Sequence, residues 1–318
     1  MFKKSSKDKL MFKPYNVDFI DDAVHLKDNF SDIETWYFDA NLKRDYSVVV
    51  LVNLFHVNSL GFVLTSFFLY KDSKLIKMTR EKYSLKEFFG LIEYPVIKIN
   101  NKTIINYLGC DKKTGFWSYN ISTGDKVNGV DLCFVQKNKS WKGKTLLGKW
   151  LVIPVFDVYG SIFIDGKKMD VKGIGYHDHN IYPLYAPFFV KGYYFGKIPI
   201  DEINITWAEV ISRKGVNQQI IVINKNDSYF SIKPDKIRFE IEKEIKYDKK
   251  IIPEIFNINI DTDNVNLSVE CKMKNVHDIH FPFLNYWRYH VHYLGKLIID
   301  RKTFEINSTN VAELLRFF

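Results

Sequence analysis

The sequence is poor in cysteine, and its few cysteines are widely spaced. Cys110, Cys133 and Cys271 are odd in number, match no zinc-ligand spacing and form no disulfide framework. All three lie in apolar or strand-like stretches, so we expect buried free thiols. The cysteine content therefore argues against a disulfide-stapled domain and indicates a reducing environment.

Long hydrophobic runs are also missing. The longest apolar stretches, residues 47–55 and 61–70, are too short to span a bilayer as helices. The basic N-terminal residues are followed by polar residues rather than by the apolar run of a secretory signal. We therefore expect a cytoplasmic protein.

The chain carries a net charge of +9 but has no concentrated basic track. Its lysines are scattered among acidic residues, as in EIEKEIKYDKK at residues 240–250, and this mixture is typical of a solvated strand face. Nucleic acid is therefore not the expected partner. The basic surface, including FKKSSKDK near the N-terminus, still permits peripheral contact with an anionic membrane.

Segments rich in β-branched and aromatic residues dominate the sequence. About fourteen such segments are separated by linkers of Asn, Asp, Gly and Lys, which predicts an all-β chain. Helical periodicity is found only around residues 84–92 and 310–318. So many strands in 318 residues exceed one small barrel and predict two barrels or sandwiches.

Aromatic residues make up 16% of the chain, a high fraction. A β-barrel of eight to ten strands can enclose one small ligand, and aromatic side chains could line such a pocket. The alternative is that most of them simply form the hydrophobic core.

The segment GIGYHDHN at residues 173–180 places two of the eight histidines on either side of an aspartate. In a strand, His177 and His179 share a face with the two glycines, while Tyr176 and Asp178 face the other way. Acid–base chemistry and a structural hydrogen-bonding role both fit this pattern. A metal site would need a third ligand, and none stands at a recognisable spacing, so we expect no bound metal and no cofactor.

The run from Trp150 through GYHDHN resembles the signature of the carotenoid 1,2-hydratase superfamily, also called hydroxyneurosporene synthase-like or AttH-like. This superfamily includes kievitone hydratase and decalin-forming Diels–Alderases. The similarity continues in IETWYFDANL (33–42), KGYYFGKI (191–198) and ITWAEVISRKG (205–215), and in the closing strand YWRYHVHYLGKLIID (286–300). It therefore covers nearly the whole chain.

The resemblance implies two tandem lipocalin-like antiparallel β-barrels. Residues 1–185 would form the N-terminal barrel with the motif strand, and residues 186–318 the C-terminal barrel. A hydrophobic pocket would lie in or between them and bind a polyunsaturated, isoprenoid-like or carotenoid-like molecule.

The family chemistry is acid-assisted hydration or cyclisation of a carbon–carbon double bond. Carried over to this chain, the acid is Glu209, with His179 and Trp207 as its partners. Asp178 is the rival donor. His179 and His177 are the other candidate catalytic residues. The aromatic residues expected to contact the ligand are Trp36, Tyr176, Tyr182, Tyr194 and Trp207.

The chain departs from the family pattern at two places. Ile181 and Tyr182 stand where the family continues its motif with Trp-Gly, and Tyr193 to Gly196 replace a Trp-x-Trp-Gly segment. The scaffold is kept while the pocket surface has changed. Two classes of function therefore remain open, a hydro-lyase or cyclase and a non-catalytic carrier of a lipophilic ligand.

Overall fold

The computed structural model describes residues 11–25, 32–57, 60–248, 250–281 and 284–317. They form two compact units, which we call the N-terminal unit (Tyr15–Ala186) and the C-terminal unit (from Pro187 onward, with residues 11–14). Nearly all of the regular structure is strand, and the predicted all-β fold class is confirmed.

The N-terminal unit is built on one sheet of twelve antiparallel strands. The strands are β1 (Asp32–Leu42), β2 (Tyr46–Val57), β3 (Leu60–Lys71), β4 (Lys74–Ser84), β5 (Phe88–Gly90), β6 (Ile97–Ile99), β7 (Lys102–Cys110), β8 (Trp117–Gly124), β9 (Gly129–Gln136), β10 (Trp141–Lys144), β11 (Lys149–Ile164) and β12 (Lys167–Pro183). Their order is β4-β3-β2-β1-β12-β11-β9-β8-β7-β6-β5, and β10 pairs with β11. The two edges, β4 and β5, are joined by the short 3₁₀ turn Leu85–Glu87.

The C-terminal unit repeats this plan with nine strands. They are β13 (Val190–Ile200), β14 (Ile203–Ser212), β15 (Gln218–Lys225), β16 (Ser228–Ser231), β17 (Ile237–Tyr247), β18 (Lys250–Asp261), β19 (Val265–Phe281), β20 (Leu284–Ile299) and β21 (Lys302–Phe317). Their order is β16-β15-β14-β13-β21-β20-β19-β18-β17. The 3₁₀ turn Pro234–Lys236 joins the two edges. Two further 3₁₀ turns lie in the described part of the chain, Phe19–Asp22 and Ala186–Phe188.

Each unit has its own apolar core on the inner face of its sheet. In β1 the alternate residues Trp36, Phe38 and Ala40 belong to the core of the N-terminal unit. In β14 Ile205 and Trp207 belong to the core of the C-terminal unit. The period of two along each strand places these residues on one face, and the same alternation positions the polar side chains described below.

Both helical expectations are wrong. Residues 84–92 contain only the 3₁₀ turn and the short strand β5, and residues 310–318 belong to β21 as far as they are described. In β21 the run from Asn310 to Leu315 is buried on both faces. Periodicity cannot distinguish such a strand from a buried helix.

The cysteine expectation needs one correction. All three cysteines are free, but only Cys271 is buried, whereas Cys110 is exposed and Cys133 is half-buried. Cys110 ends β7 next to the turn at Asp111, where a strand leaves the sheet for solvent. Within the described part of the chain, no helix is long and apolar enough to cross a membrane.

Candidate functional site

The motif strand β12 directs its two histidines toward the interior of the N-terminal unit. His177 is fully buried and His179 is 2% exposed. The neighbouring strand β1 faces them in register, with Phe38 opposite His177 and Trp36 opposite His179. Each histidine stacks on its aromatic partner, with ring centroids 3.8 Å apart for Phe38 and 4.4 Å apart for Trp36. Cross-strand stacking therefore fixes both imidazole planes.

Asp22 is the buried carboxylate that holds the two histidines together. It ends the 3₁₀ turn Phe19–Asp22 and is fully buried. Its Oδ1 accepts a hydrogen bond from His177 Nε2 at 3.0 Å, and its Oδ2 accepts one from the Tyr119 hydroxyl at 2.7 Å. His179 Nδ1 lies 3.2 Å from Oδ1. That contact is an ion pair, because its direction is not aligned for a hydrogen bond.

Glu34 is a second buried carboxylate, on the same face of β1 as Trp36. Its Oε1 lies 2.9 Å from His179 Nε2 and 2.8 Å from His25 Nδ1. The backbone amide of His25 also donates to the Glu34 carboxylate at 3.2 Å. His179 therefore lies between Asp22 on one ring nitrogen and Glu34 on the other.

The charges of this cluster compensate one another. Burial alone would raise the pKa of Asp22 and of Glu34, but the adjacent histidines outweigh it and hold both pKa values below their usual range. Burial alone would lower the pKa of His179, but its contacts with the Asp22 and Glu34 carboxylates raise that pKa to about 9. At neutral pH His179 is therefore an imidazolium between two carboxylates.

Asp178 and Tyr176 project from the opposite face of β12. The Asp178 carboxylate accepts hydrogen bonds from the Tyr176 hydroxyl at 2.9 Å, Asn180 Nδ2 at 2.7 Å and Trp150 Nε1 at 3.3 Å. These three donors provide the hydrogen bonds that the buried Asp178 carboxylate needs as an acceptor. Tyr182, further along β12, is half-buried and pairs in register with Ile33 of β1.

A separate cleft opens in the C-terminal unit. Its volume is about 350 Å³, at the small end of the range for ligand pockets. Four strands of that unit supply its walls, β13 and β14 on one side and β17 and β18 on the other. The side chains that line it are Tyr194, Trp207, Glu209, Ile211, Asn217, Phe239, Glu240, Ile241, Pro253 and Phe256.

Glu209 is the half-buried acid of this cleft. Glu209 shares one face of β14 with Trp207 and Ile211, so its carboxylate projects from a strand face that is otherwise apolar. Asn217 Nδ2 donates a hydrogen bond to Glu209 Oε1 at 3.1 Å. Burial raises the pKa of Glu209 above its ordinary value of 4.5, against the opposing hydrogen bonds from Asn217 and Gln219. The wall therefore favours the protonated acid.

Trp207 forms the aromatic floor beside Glu209. Its ring contacts Phe239 and Phe256, with centroids 5.6 and 5.5 Å away. Its Nε1 is buried and has no hydrogen-bond partner among the described residues. Because buried donors are normally satisfied, this indole N–H is available to a polar group of a ligand.

Tyr194 stands on β13 directly opposite Glu209 in the register of the sheet. Its hydroxyl accepts a hydrogen bond from Arg316 Nη2 at 2.9 Å. Burial raises the pKa of Tyr194 above its usual range, so the hydroxyl stays protonated. The cleft thus combines one half-buried acid, one phenol and one indole N–H with a partly aromatic lining, and the exposed Glu240 lies at it as well.

The structure divides the predicted site residues between the two units. It brings Tyr194, Trp207 and Glu209 together around the cleft. In the N-terminal unit, Trp36 joins His177 and His179, while Tyr176 joins Asp178 on the opposite face of β12. The predicted partnership of His179 with Glu209 stays a prediction.

Sequence reasoning missed two carboxylates, Asp22 and Glu34. Glu34 had a signal, because it shares a strand face with Trp36 and Phe38, and a charge on so apolar a face indicates a buried ion pair. Asp22 had none, since it lies in a short turn with no periodicity. In the C-terminal unit, reasoning from the sequence also missed Phe239, Phe256 and Asn217, which come from other strands and a loop.

No family model matches the chain, and no curated protein matches it in sequence. Solved structures do match its fold. A protein described as an AttH from Nitrosomonas europaea superposes with a TM-score of 0.64 and 11% identity, covering 96% of this chain and 98% of that one. Kievitone hydratase from Nectria haematococca gives a TM-score of 0.56 and 9% identity over 92% and 93% of the two chains.

A third match is CghA, solved with Sch210972, at a TM-score of 0.51 and 10% identity over 91% of this chain and 89% of that one. These likenesses confirm the resemblance at the level of the fold, a tandem lipocalin-like all-β architecture. Because the sequence identities are so low, these matches support a shared fold and nothing beyond it.

Proposed function

We propose that the chain binds a hydrophobic, polyunsaturated small molecule in the cleft of the C-terminal unit and that Glu209 protonates one of its carbon–carbon double bonds. The observation that carries this proposal is the Glu209 carboxyl, whose pKa burial raises, in a cleft lined by four aromatic side chains, Tyr194, Trp207, Phe239 and Phe256. A raised pKa keeps a larger fraction of this carboxyl protonated at a given pH, which suits a general acid. Kievitone hydratase, which shares the fold, is named for a hydration reaction.

The residues around Glu209 suit such a reaction. The faces of Trp207, Phe239 and Phe256 would stabilise the positive charge that develops on the ligand after protonation. In a hydration, water would capture the cation and then lose a proton. In a cyclisation, another double bond of the ligand would capture it, and the new cation would lose a proton to form an alkene. In both cases the proton returns to the Glu209 carboxylate and restores the acid. The product is accordingly a hydrated or a cyclised alkene, and the enzyme a hydro-lyase or a cyclase.

Glu209 is a better donor than its rival, Asp178. The Asp178 carboxylate accepts three hydrogen bonds and is held as an acceptor. Glu209 accepts hydrogen bonds from the side chains of Asn217 and Gln219 and faces the cleft, where burial raises its pKa. A carboxyl that must deliver a proton to a ligand needs surroundings like those of Glu209.

The test is incubation of the protein with a panel of polyenes in deuterated water. We expect deuterium at a former alkene carbon with the wild type and none with Glu209→Gln, which keeps the shape of the side chain. Glu240→Gln is the matched control, because Glu240 lines the same cleft but is exposed, and it should incorporate deuterium like the wild type.

A polyene that binds with no isotope incorporation and no new product would overturn the catalytic proposal. It would assign the cleft to a carrier of lipophilic ligands instead. Incorporation that persists in Glu209→Gln and disappears in Asp178→Asn would transfer the role of acid to Asp178.

A further inference from the structure

His25, Glu34 and His179 converge although they are far apart in the sequence. His25 follows the 3₁₀ turn Phe19–Asp22, Glu34 lies near the start of β1, and His179 lies on β12. One ligand-type atom from each of them lies within 4.8 Å of the other two. The spacing of residues in the sequence showed no further metal ligands for His179. The fold brings two candidate ligands to it, His25 and Glu34.

We propose that His25, Glu34 and His179 form a binding site for one divalent transition-metal ion. Two imidazole nitrogens and one carboxylate are a ligand set that proteins use for zinc and for non-haem iron. The site lies within the N-terminal unit, separate from the cleft in the C-terminal unit. The proposal therefore does not rest on the proposed function.

The surroundings of His179 fit a ligand that is already oriented. Its Nδ1 lies against the Asp22 carboxylate at 3.2 Å, while its Nε2 points toward Glu34. A carboxylate behind one ring nitrogen fixes the ring and makes the other nitrogen a better metal ligand. Asp22 is itself held by Tyr119 and His177, so the support extends one layer further.

Charge also favours a cation at this place. The described partners of the Glu34 carboxylate are His25 and His179. Those of the Asp22 carboxylate are His177, His179 and Tyr119. Neither carboxylate pairs with lysine or arginine among the described residues. An entering divalent ion would displace the proton of His179 to the solvent, and the two buried carboxylates would exchange an imidazolium for a doubly charged counter-ion.

The burial pattern provides a route for entry. The side chains of Glu34 and His179 are each 1% exposed, whereas that of His25 is 30% exposed. An ion would arrive from the His25 side, and its remaining coordination positions would face the solvent there. His25 lies outside the sheet, so its ring can adjust more readily than a strand residue.

The adjustment required is small. His25 Nδ1 and His179 Nε2 now lie 2.8 and 2.9 Å from the same oxygen of Glu34. Metal–ligand bonds of about 2.0–2.2 Å in a tetrahedral site place neighbouring ligand atoms about 3.2–3.6 Å apart. Each nitrogen would therefore move about 0.3–0.8 Å away from that oxygen as the ion entered.

The experiment is calorimetric titration of the chelator-treated, full-length protein with Zn²⁺ alone. We expect one ion per chain and an affinity that falls at least about tenfold in His25→Ala. His25→Ala should keep the fold, because that side chain is partly exposed. His292→Ala is the matched control, a half-buried histidine on β20 that should leave the binding unchanged.

Co²⁺ provides a second readout that a purely structural role would not change. A site of these three ligands should give visible absorption bands of low-coordinate cobalt in the wild type, and His25→Ala should weaken them. Absence of stoichiometric Zn²⁺ binding would overturn the proposal. So would binding that His25→Ala leaves unchanged, because the ion would then lie elsewhere.

Discussion

In each unit a meander of antiparallel strands is closed by pairing the first strand of the unit with its last, β1 with β12 and β13 with β21. The edges of the sheet also fall at the same point, after the fourth strand. The interiors differ. The N-terminal unit encloses a cluster of paired charges around His179, while the C-terminal unit opens a cleft around Glu209.

The comparison shows how one topology can serve two purposes. In the N-terminal unit, the buried carboxylates of Asp22 and Glu34 each contact a histidine, so their charges are compensated within the interior. In the C-terminal unit, a carboxyl stands in an apolar wall and an indole N–H lacks a partner among the described residues. Unsatisfied groups cost stability and are expected where a ligand binds.

The largest expected effect is on catalysis. Glu209→Gln should lower turnover of an accepted polyene about 10²–10⁴-fold, the usual contribution of general acid catalysis. Ligand affinity should be unchanged. The melting temperature should stay the same or rise, because a carboxyl in an apolar wall destabilises the folded state. Steady-state kinetics, a binding titration and thermal melting would measure the three quantities.

Removing a carboxylate from the N-terminal unit should have the opposite effect on stability. Asp22→Asn leaves buried histidines without their counter-charge, and breaking a buried ion pair in this way costs about 3–5 kcal/mol. Hydrogen exchange of the β1 and β12 amides would report this loss locally. Unchanged protection there would show that the cluster does not stabilise its barrel.

The pH dependence of stability should follow His179. Its pKa is raised from 6.5 to about 9 in the fold, so the folded unit binds this proton more tightly than the unfolded chain. The stabilisation is complete below pH 6.5 and is lost as the pH rises through about 9, a change on the order of 3 kcal/mol. His179→Gln should flatten the melting temperature across this window, and a slope equal to that of the wild type would contradict the assignment.

Substitution of two glycines should give the smallest effects. The two variants should still differ, because one glycine lies in each unit. A Cβ on Gly175 would stand 2.5 Å from Val158 Cγ2 and 2.6 Å from Phe134 Cε1, so Gly175→Ala should cost about 1–3 kcal/mol through overpacking. A Cβ on Gly196 would stand 2.5 Å from Trp207 Cζ2. Gly196→Ala should therefore weaken ligand binding, and Gly175→Ala should not. Melting curves and binding titrations of both variants would check this.

The sequence sufficed for the fold class, because alternating apolar residues with turn residues between them predict strands directly. The family resemblance pointed to Glu209 and Trp207; the structure places both side chains at the cleft, and their roles stay predictions. Reasoning from the sequence failed for β21, whose buried run from Asn310 to Leu315 lacks a clear period. Asp22 could not be found, because only the packing of a short turn against β1 and β12 brings it to the histidines.

The protonation of Glu209 is the most direct test of the account. Carbon-13 NMR of glutamate-labelled protein, with Glu209→Gln to assign the signal, would follow the carboxyl through a pH titration. We predict a midpoint above the ordinary value of 4.5, rising further when a lipophilic ligand excludes water from the cleft. A midpoint at or below 4.5 would mean that Glu209 is ionised at neutral pH, and it would contradict its role as the acid.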